Sequence, residues 1–238
     1  NKDMVKEAVI QRDHLYYLSC VPLFKGLRDE TLLTLARVSK WRTVDRGDYL
    51  FFQGDSADAV FVVCTGWIVI TISSPDGREL VIYEMRNGDL FGENAVIGRT
   101  RRATTAVARD SSAVLEVPRQ AFFAALDAEP CLVRRLLELA VRRIVTANER
   151  ESALAFLDAP ARVARLLREM DELDRRTADK GYITLSQEEL AQRTGLTRQT
   201  VARFLGDWRR KGWLITGRGR VMLLNRPALL KIENDHLI

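Results

Sequence analysis

The chain has 238 residues, 47% hydrophobic and 29% charged, a composition that suits two domains with cores of their own and excludes a disordered chain. Its formal charge of +5 is unevenly placed: from Asp158 onward 16 Lys and Arg face 11 Asp and Glu, while the residues before it balance at 21 each. A basic last third is the footprint expected of a polyanionic partner, although many solvated surfaces are equally basic.

At the amino terminus, Lys2, Asp3, Lys6, Glu7 and Arg12 interrupt the apolar residues of 1–12, so this stretch lacks the hydrophobic core of a signal peptide and the expected location is cytoplasmic. Cys20, Cys64 and Cys131 are few, odd in number and far apart. They argue for a reducing compartment and against disulfides or a thiolate metal cluster, and are expected to be buried hydrophobes. The most apolar stretch, Ala59 to Ile72, is short, valine-rich and broken by Thr65 and Gly66, which suits paired strands and not a membrane span.

Val21 to Ala36 reads as short helical turns. From Trp41 the texture changes: Gly47, Gly54, Gly66, Gly77 and Gly88 punctuate strand-like segments at Tyr49 to Phe52, Val60 to Cys64, Trp67 to Ile72 and Leu80 to Met85. Pro75-Asp76-Gly77 is a hairpin turn, with proline presetting φ and glycine accepting a positive one. Thr104 to Ala108 and Ala113 to Val117 add strands, and Pro118 to Leu126 a short helix. An eight-stranded antiparallel jelly roll is the natural closure, with an interior that is either a plain core or a binding site.

Between the strands lies Phe91-Gly92-Glu93-Asn94-Ala95-Val96-Ile97-Gly98-Arg99-Thr100-Arg101-Arg102-Ala103-Thr104-Thr105. Gly92 allows close backbone approach, and a turn after it would offer N–H groups to an anion. Arginine's planar fork suits phosphate oxygens and a carboxylate suits ribose hydroxyls, so Arg102 and Glu93 describe a sugar-phosphate site. The alternative is that the two simply pair with each other.

Pro130 to Leu157 predicts one long helix, with proline in its first turn and no internal glycine. Leu137, Ala140, Ile144, Ala147 and Leu154 recur by threes and fours, with Glu151 as the one break. Such a seam meets either a second copy of the chain or its own domain. Asp158-Ala159-Pro160 breaks the helix and makes Asp158 a candidate hinge; Arg162 to Leu173 restarts one, with Val163, Leu166, Leu167 and Met170 on its inner face. Tyr182 to Leu185 reads as a short strand.

Ser186 opens a capping box with Glu189, and Gly195 ends that helix. Thr197 caps the next, whose Val201, Phe204, Leu205 and Trp208 face inward while Arg198, Gln199 and Arg203 stay outside. Two short helices joined by a glycine turn form a helix-turn-helix, whose second helix can enter a major groove. Trp213 to Thr216 and Val221 to Leu224 flank Gly217-Arg218-Gly219-Arg220, a wing with a basic tip. A winged helix used for protein contacts is the competing reading.

Phe-Gly-Glu followed by Arg-Ala and threonine resembles the phosphate-binding cassette of cyclic-nucleotide-binding domains. Leu-Ser-Gln-Glu-Glu-Leu-Ala, a glycine turn and Thr-Arg-Gln-Thr-Val-Ala-Arg, spanning Leu185 to Arg203, is similar to the DNA-binding motif of the CRP/FNR family of bacterial transcription regulators. With the long helix between them, the resemblance covers the chain from Leu23 to Leu230. It implies an α+β fold in three parts: a jelly-roll sensor over residues 1–129, a dimerisation helix over 130–157 and a winged helix-turn-helix over 158–238.

Carried over residue by residue, the resemblance gives the ribose 2′-hydroxyl to Glu93, the cyclic phosphate to Arg102 and the rest of the anion pocket to the backbone N–H groups of Gly92 and Ala103. Arg198 and Arg203 would read bases, and Thr197, Thr200 and Ser186 would touch phosphates. Arg218 and Arg220 add phosphate contacts that read no sequence. Gln199 stands where the family often has glutamate, so its preferred base shifts from cytosine toward adenine. The partners implied are palindromic double-stranded DNA, a second copy of the chain and RNA polymerase, with no membrane.

The base end of the ligand site departs from the family's cyclic-AMP-binding type. Aligning Leu154-Ala155-Phe156-Leu157-Asp158 places Ala147 and Asn148 where that type holds adenine with a Thr-Ser pair; Asn148 can still donate and accept. Three readings remain: cyclic AMP with a changed base contact, which is favoured; cyclic GMP or cyclic di-GMP; or no ligand. Iron–sulfur and heme chemistry lack their residues, since only Cys20 lies near the amino terminus and His14 and His236 are the sole histidines. No metal or prosthetic group is expected. Nor is an enzyme: there is no Walker loop, no His-Glu-x-x-His and no histidine in the interior of the chain to serve a nucleophile.

Overall fold

The computed structural model describes residues 13–74, 77, 79–177 and 181–235. Two compact units emerge, one joining the chain up to Ile72 with Val81–Arg142, the other joining Ser73–Leu80 with the chain from Arg143 on. The division falls inside the long helix.

In the first unit, helix α1 (residues 13–20), a 3-10 turn at Pro22–Phe24 and α2 (Asp29–Val38) precede the strands. These are β1 (Lys40–Val44), β2 (Tyr49–Phe51), β3 (Ala59–Thr65), β4 (Ile68–Ser73), β5 (Glu79–Met85), β6 (Leu90–Phe91), β7 (Thr105–Ala108) and β8 (Ser112–Pro118). They form two four-stranded sheets in the orders β1-β8-β3-β6 and β2-β7-β4-β5, the jelly roll expected from the glycine spacing. The sequence patterns did not reveal β1, whose residues are mostly exposed and polar, or β6, which has only two residues.

Strand β3 shows why this stretch is continuously apolar: both its faces are buried. Val60 and Val62 pack with Phe24, Leu35, Leu115, Phe122 and Leu132 beneath the helices. Phe61 and Val63, pointing the other way, pack between the sheets with Phe51, Ile68, Ile70, Phe91 and Ala106. Helices α3 (Glu93–Ile97) and α4 (Arg119–Ala128) complete the unit. Glu129 pins α2 to the end of α4: its Oε1 accepts from Thr31 Oγ1 at 2.6 Å and Arg28 Nε at 2.9 Å. The hydroxyl bond from Thr31, and then those from Arg28, hold this carboxyl below the ordinary carboxylate range.

Long helix α5 (Pro130–Phe156) carries the expected seam, and Leu137, Ile144 and Leu154 are 64%, 59% and 47% exposed. Val133, Val141 and Val145 widen the uncovered apolar stripe.

In the second unit α6 (Ala159–Thr177) starts with Pro160 in its first turn, three residues before the expected restart. Asp158 is its cap, since Oδ1 accepts from the N–H of Ala161 at 3.0 Å. Helices α7 (Gln187–Thr194) and α8 (Arg198–Arg210), strands β9 (Leu214–Gly217) and β10 (Arg220–Leu223), and α9 (Arg226–Asp235) follow. Their core joins Val163, Leu167, Leu190, Val201, Leu205, Trp208, Leu214 and Leu229. A two-pronged pair, Arg226 to Asp171 at 2.7 and 3.1 Å, ties α9 to α6.

The strand expected at Tyr182 to Leu185 does not form. Only Ile183 bridges, to Val221, because β10 already pairs with β9 and offers its other edge for one residue. Cys20 corrects another expectation, being exposed at the end of α1, whereas Cys64 is buried and desolvation pushes its thiol up to about 12. His14 is buried with Nδ1 3.1 Å from the Ala36 carbonyl. Residues 1–12, Pro75, Asp76 and His236 lie outside the described residues; Gly77, at the end of the expected turn, has φ +81° and donates its N–H to the Ser74 carbonyl at 2.9 Å.

Candidate functional site

The barrel cassette is assembled from a glycine that turns the chain. Gly92 takes φ +79°, a left-handed conformation that L side chains disfavour, and directs β6 into α3. Glu93 thereby becomes the first residue of α3 with its carboxylate buried at 3% exposure. Arg102, 4% exposed, reaches the same place from the β6–β7 connection. Its main chain is fixed on the β2–β3 loop: the N–H donates to the Asp55 carbonyl at 2.9 Å, and the carbonyl accepts from Gly54 N–H at 2.8 Å.

The guanidinium is held by more than the cassette. Nη1 donates to the Gly92 carbonyl and Nη2 to the Ala59 carbonyl, each at 2.6 Å. The cation lies 4.3 Å from the ring centre of Phe51 and 5.5 Å from that of Phe61. Nε is buried without a hydrogen-bond partner among the described residues. Burial lowers the guanidinium's pKa, while Asp58, Glu93, Asp55 and Glu116 act in the opposite direction; arginine's basicity leaves it charged.

Sequence reasoning placed Gly92 here as an N–H donor, and the structure adds its carbonyl as an acceptor for Arg102. Ala59, Phe51 and Phe61 were missed; the only signal was aromatic residues within strands flanking the cassette. A Cβ at position 92 would stand 2.7 Å from Arg102 Nη1, so glycine leaves room for the arginine as well as the turn. Ala103 is exposed next to Arg102, and Asn148 is exposed on α5 in the second unit.

The second candidate face is built by caps. Ser186 and Glu189 form the reciprocal box, with Glu189 N–H donating to Ser186 Oγ at 3.2 Å and Ser186 N–H to Glu189 Oε2 at 2.7 Å. Gly195, at φ +67°, ends α7. Thr197 then caps α8 by accepting from Thr200 N–H at 3.2 Å, and the two threonine hydroxyls lie 2.9 Å apart.

Because Val201, Leu205 and Trp208 are buried, the helical period puts Arg198, Gln199 and Arg203 outside, where all three are exposed. Arg203 lies 5.2 Å over the Phe204 ring. Arg218 and Arg220 stand exposed at the wing tip, with Arg220 4.9 Å over Tyr182. The second unit thus gathers every predicted DNA-facing residue on the helix-turn-helix and wing. Among the described residues, no group of His, Cys, Asp and Glu could hold a metal ion, and no helix is long and apolar enough to cross a membrane.

Sandwich and winged helix together define a class, the transcription regulator that joins a jelly-roll barrel to a helix-turn-helix. Residues 41–129 match the family model for the cyclic nucleotide-binding domain, and residues 161–232 match that for the Crp-like helix-turn-helix domain. A CRP-like cAMP-activated global transcriptional regulator of Mycobacterium tuberculosis is 28% identical over 196 residues, covering 81% of this chain and 87% of its own length. The cyclic AMP receptor protein of Thermus thermophilus is 28% identical over 211 residues, covering 89% and 96%. The structure of FixK2 from Bradyrhizobium japonicum, 26% identical, superposes with a TM-score of 0.67 over 82% of this chain and 98% of that one. The chain belongs to the CRP/FNR family of transcription regulators.

Proposed function

We propose that the protein is a homodimeric, sequence-specific transcription regulator that binds palindromic double-stranded DNA and is switched by a cyclic nucleotide, cyclic AMP being favoured. The observation that carries the DNA half is the exposed start of α8, where Arg198 and Gln199 face solvent on a helix fixed by its cap and its buried face. Arg198 and Arg203 grip guanine edges, Gln199 reads adenine, and Ser186, Thr197, Thr200, Arg218 and Arg220 position the backbone. Two such helices about 34 Å apart fit successive major grooves.

Residues 1–129 act as the sensor, 130–157 as the dimerisation helix and 158–238 as the DNA-binding domain. The dimer is supported by the uncovered seam of Leu137, Ile144 and Leu154, a surface that a second α5 would bury. The nucleotide reading is supported by the barrel family match and by a buried arginine and carboxylate in one cassette. Glu93 takes the ribose hydroxyl, Arg102 the phosphate with help from the backbone at Gly92 and Ala103, and Asn148 the base. The relatives from Mycobacterium tuberculosis and Thermus thermophilus, named for cyclic AMP, favour that nucleotide. Ligand preference for one arrangement of α5 and the Asp158 junction sets the spacing of the recognition helices. The regulator then acts on transcription through RNA polymerase.

A second reading, a regulator that needs no ligand, draws on the engagement of Arg102. Both its terminal nitrogens are already bonded to protein carbonyls, and Phe51 and Phe61 fill the space beside it. Calorimetric titration with cyclic AMP, cyclic GMP and cyclic di-GMP, repeated on Arg102→Ala, separates the two. Binding of one nucleotide, lost in the variant, supports the switch; no heat from any supports the ligand-free regulator.

A further inference from the structure

From Arg198 to Arg220 the chain carries seven basic residues and one acidic, a net of six positive charges against five for the whole chain. The positive charge of the protein is therefore concentrated in α8 and the wing. Arg198 and Arg203 belong to the reading end of α8, and Arg218 and Arg220 to the wing tip. Arg209, Arg210 and Lys211, at the opposite end of α8, have neither role, and all three are exposed.

Helical geometry joins them to the reading face. Arg209 follows Arg198 by eleven residues, about three turns and ~16 Å along the axis, and returns to within about 20° of the same direction. Arg210 stands in the same relation to Arg203 after about two turns. Arg198 and Arg209, and Arg203 and Arg210, therefore share directions toward the two ends of α8, with half-buried Ala202 and buried Leu205 between the first pair. At the far end of α8, Arg209 Nη1 donates to Thr216 Oγ1 on β9 at 3.4 Å, and Lys211 Nζ lies 4.6 Å over the Trp213 ring. Arg210 pairs with Asp207, the one acidic residue of the stretch.

Cations in a last helical turn also stabilise the helix dipole, by about 0.3–1 kcal/mol each. That accounts for a basic residue here. It does not account for Arg209 spanning from α8 to the wing strand, or for the Lys211 side chain lying over the Trp213 ring. Cationic heads already held against a hydroxyl and an indole lose little freedom on meeting an anion.

We infer that Arg209 and Lys211 form a second contact surface for DNA phosphates, blind to sequence, which extends the footprint of α8 beyond its reading end toward the wing. This rests on the DNA-binding reading. Each phosphate neutralised by such a residue releases counterions and adds about 0.9 to the steepness of the salt dependence. The surface sets affinity and salt response; base preference stays with Arg198, Gln199 and Arg203.

The test uses the full chain with Arg209→Gln and Lys211→Gln combined, checked for an unchanged thermal melt, and a charge-keeping control, Arg209→Lys with Lys211→Arg. Fluorescence anisotropy follows binding to a duplex selected from a random pool and to a scrambled duplex of equal length, across a potassium chloride series. The glutamine variant should bind both duplexes more weakly by the same factor, with the log–log salt slope reduced by roughly two per protomer, and the control should restore the slope. An unchanged slope, or a loss confined to the selected duplex, would overturn the inference while leaving the DNA-binding reading in place. Wild-type protein that binds neither duplex would remove both.

Discussion

Arg102 in the barrel is 4% exposed and has both terminal nitrogens on carbonyls of its own unit, whereas Arg198 and Arg203 at the start of α8 stand in solvent. The same side chain thus does two kinds of work. In the barrel it is part of the folded core, so whatever ligand it meets must share or displace its present partners, and function and stability are coupled at that residue. On α8 the fold is secured by Thr197, Val201, Leu205 and Trp208, so exposed Arg198 and Arg203 can change at little cost in stability, as the proposed base-reading role would require.

The sharpest way to break this contrast is to remove what both units share, the seam of α5. Glutamates at Leu137 and Ile144 together place like charges across the proposed dimer axis. Light scattering should report a monomer, and binding to the palindromic duplex should vanish; a persisting dimer would relocate the interface. Next in size is Arg102→Ala, which leaves the carbonyls of Gly92 and Ala59 without their charged donor. Denaturant unfolding should show a loss of roughly 3 kcal/mol from two charge-assisted bonds, together with loss of any nucleotide response. Unaltered stability would show that those bonds are not maintained in solution.

Arg198→Ala should leave the unfolding midpoint in place and weaken DNA binding by about 1–3 kcal/mol, with relaxed base preference. Selection from a random pool checks both parts, and retained preference would remove Arg198 as a reader. The smallest effect belongs to the Glu129 cluster. A carboxyl whose folded pKa lies below its unfolded value stabilises fully above the ordinary value of about 4.3, and that contribution is lost as pH falls through the depressed one. Thr31→Val removes the largest cause of the depression and should flatten the fall of thermal stability between roughly pH 5 and the depressed value. An identical acid profile would assign the acid sensitivity elsewhere.

What could be read from the sequence was local. The Ser186–Glu189 box, the Gly195 stop and the Thr197 cap each depend on residues a few positions apart, and each forms as the pattern predicts. The apolar run of β3 and the glycine spacing gave the sandwich, because a strand buried on both faces reads as a continuous apolar run and glycines mark the turns between strands. The residues around Arg102 were not legible: Ala59 lies 43 residues away in sequence and offers only a backbone carbonyl, which no side-chain pattern encodes. The short edge strands β1 and β6 and the failed strand at Tyr182 show the same limit, since pairing there depends on which edges remain open. Cys20 was misplaced because a rule about cysteine burial in general cannot locate one residue at the end of α1.

The most direct test of a ligand-switched DNA-binding regulator is the affinity of the purified protein for a duplex selected from a random pool, measured by anisotropy with and without cyclic AMP, for wild type and Arg102→Ala. The account predicts binding that changes at least several-fold with the nucleotide in wild type and not in the variant. Tight wild-type binding that is indifferent to cyclic AMP, with no nucleotide heat in calorimetry, would contradict the switch and leave Arg102 as a structural clasp of the barrel.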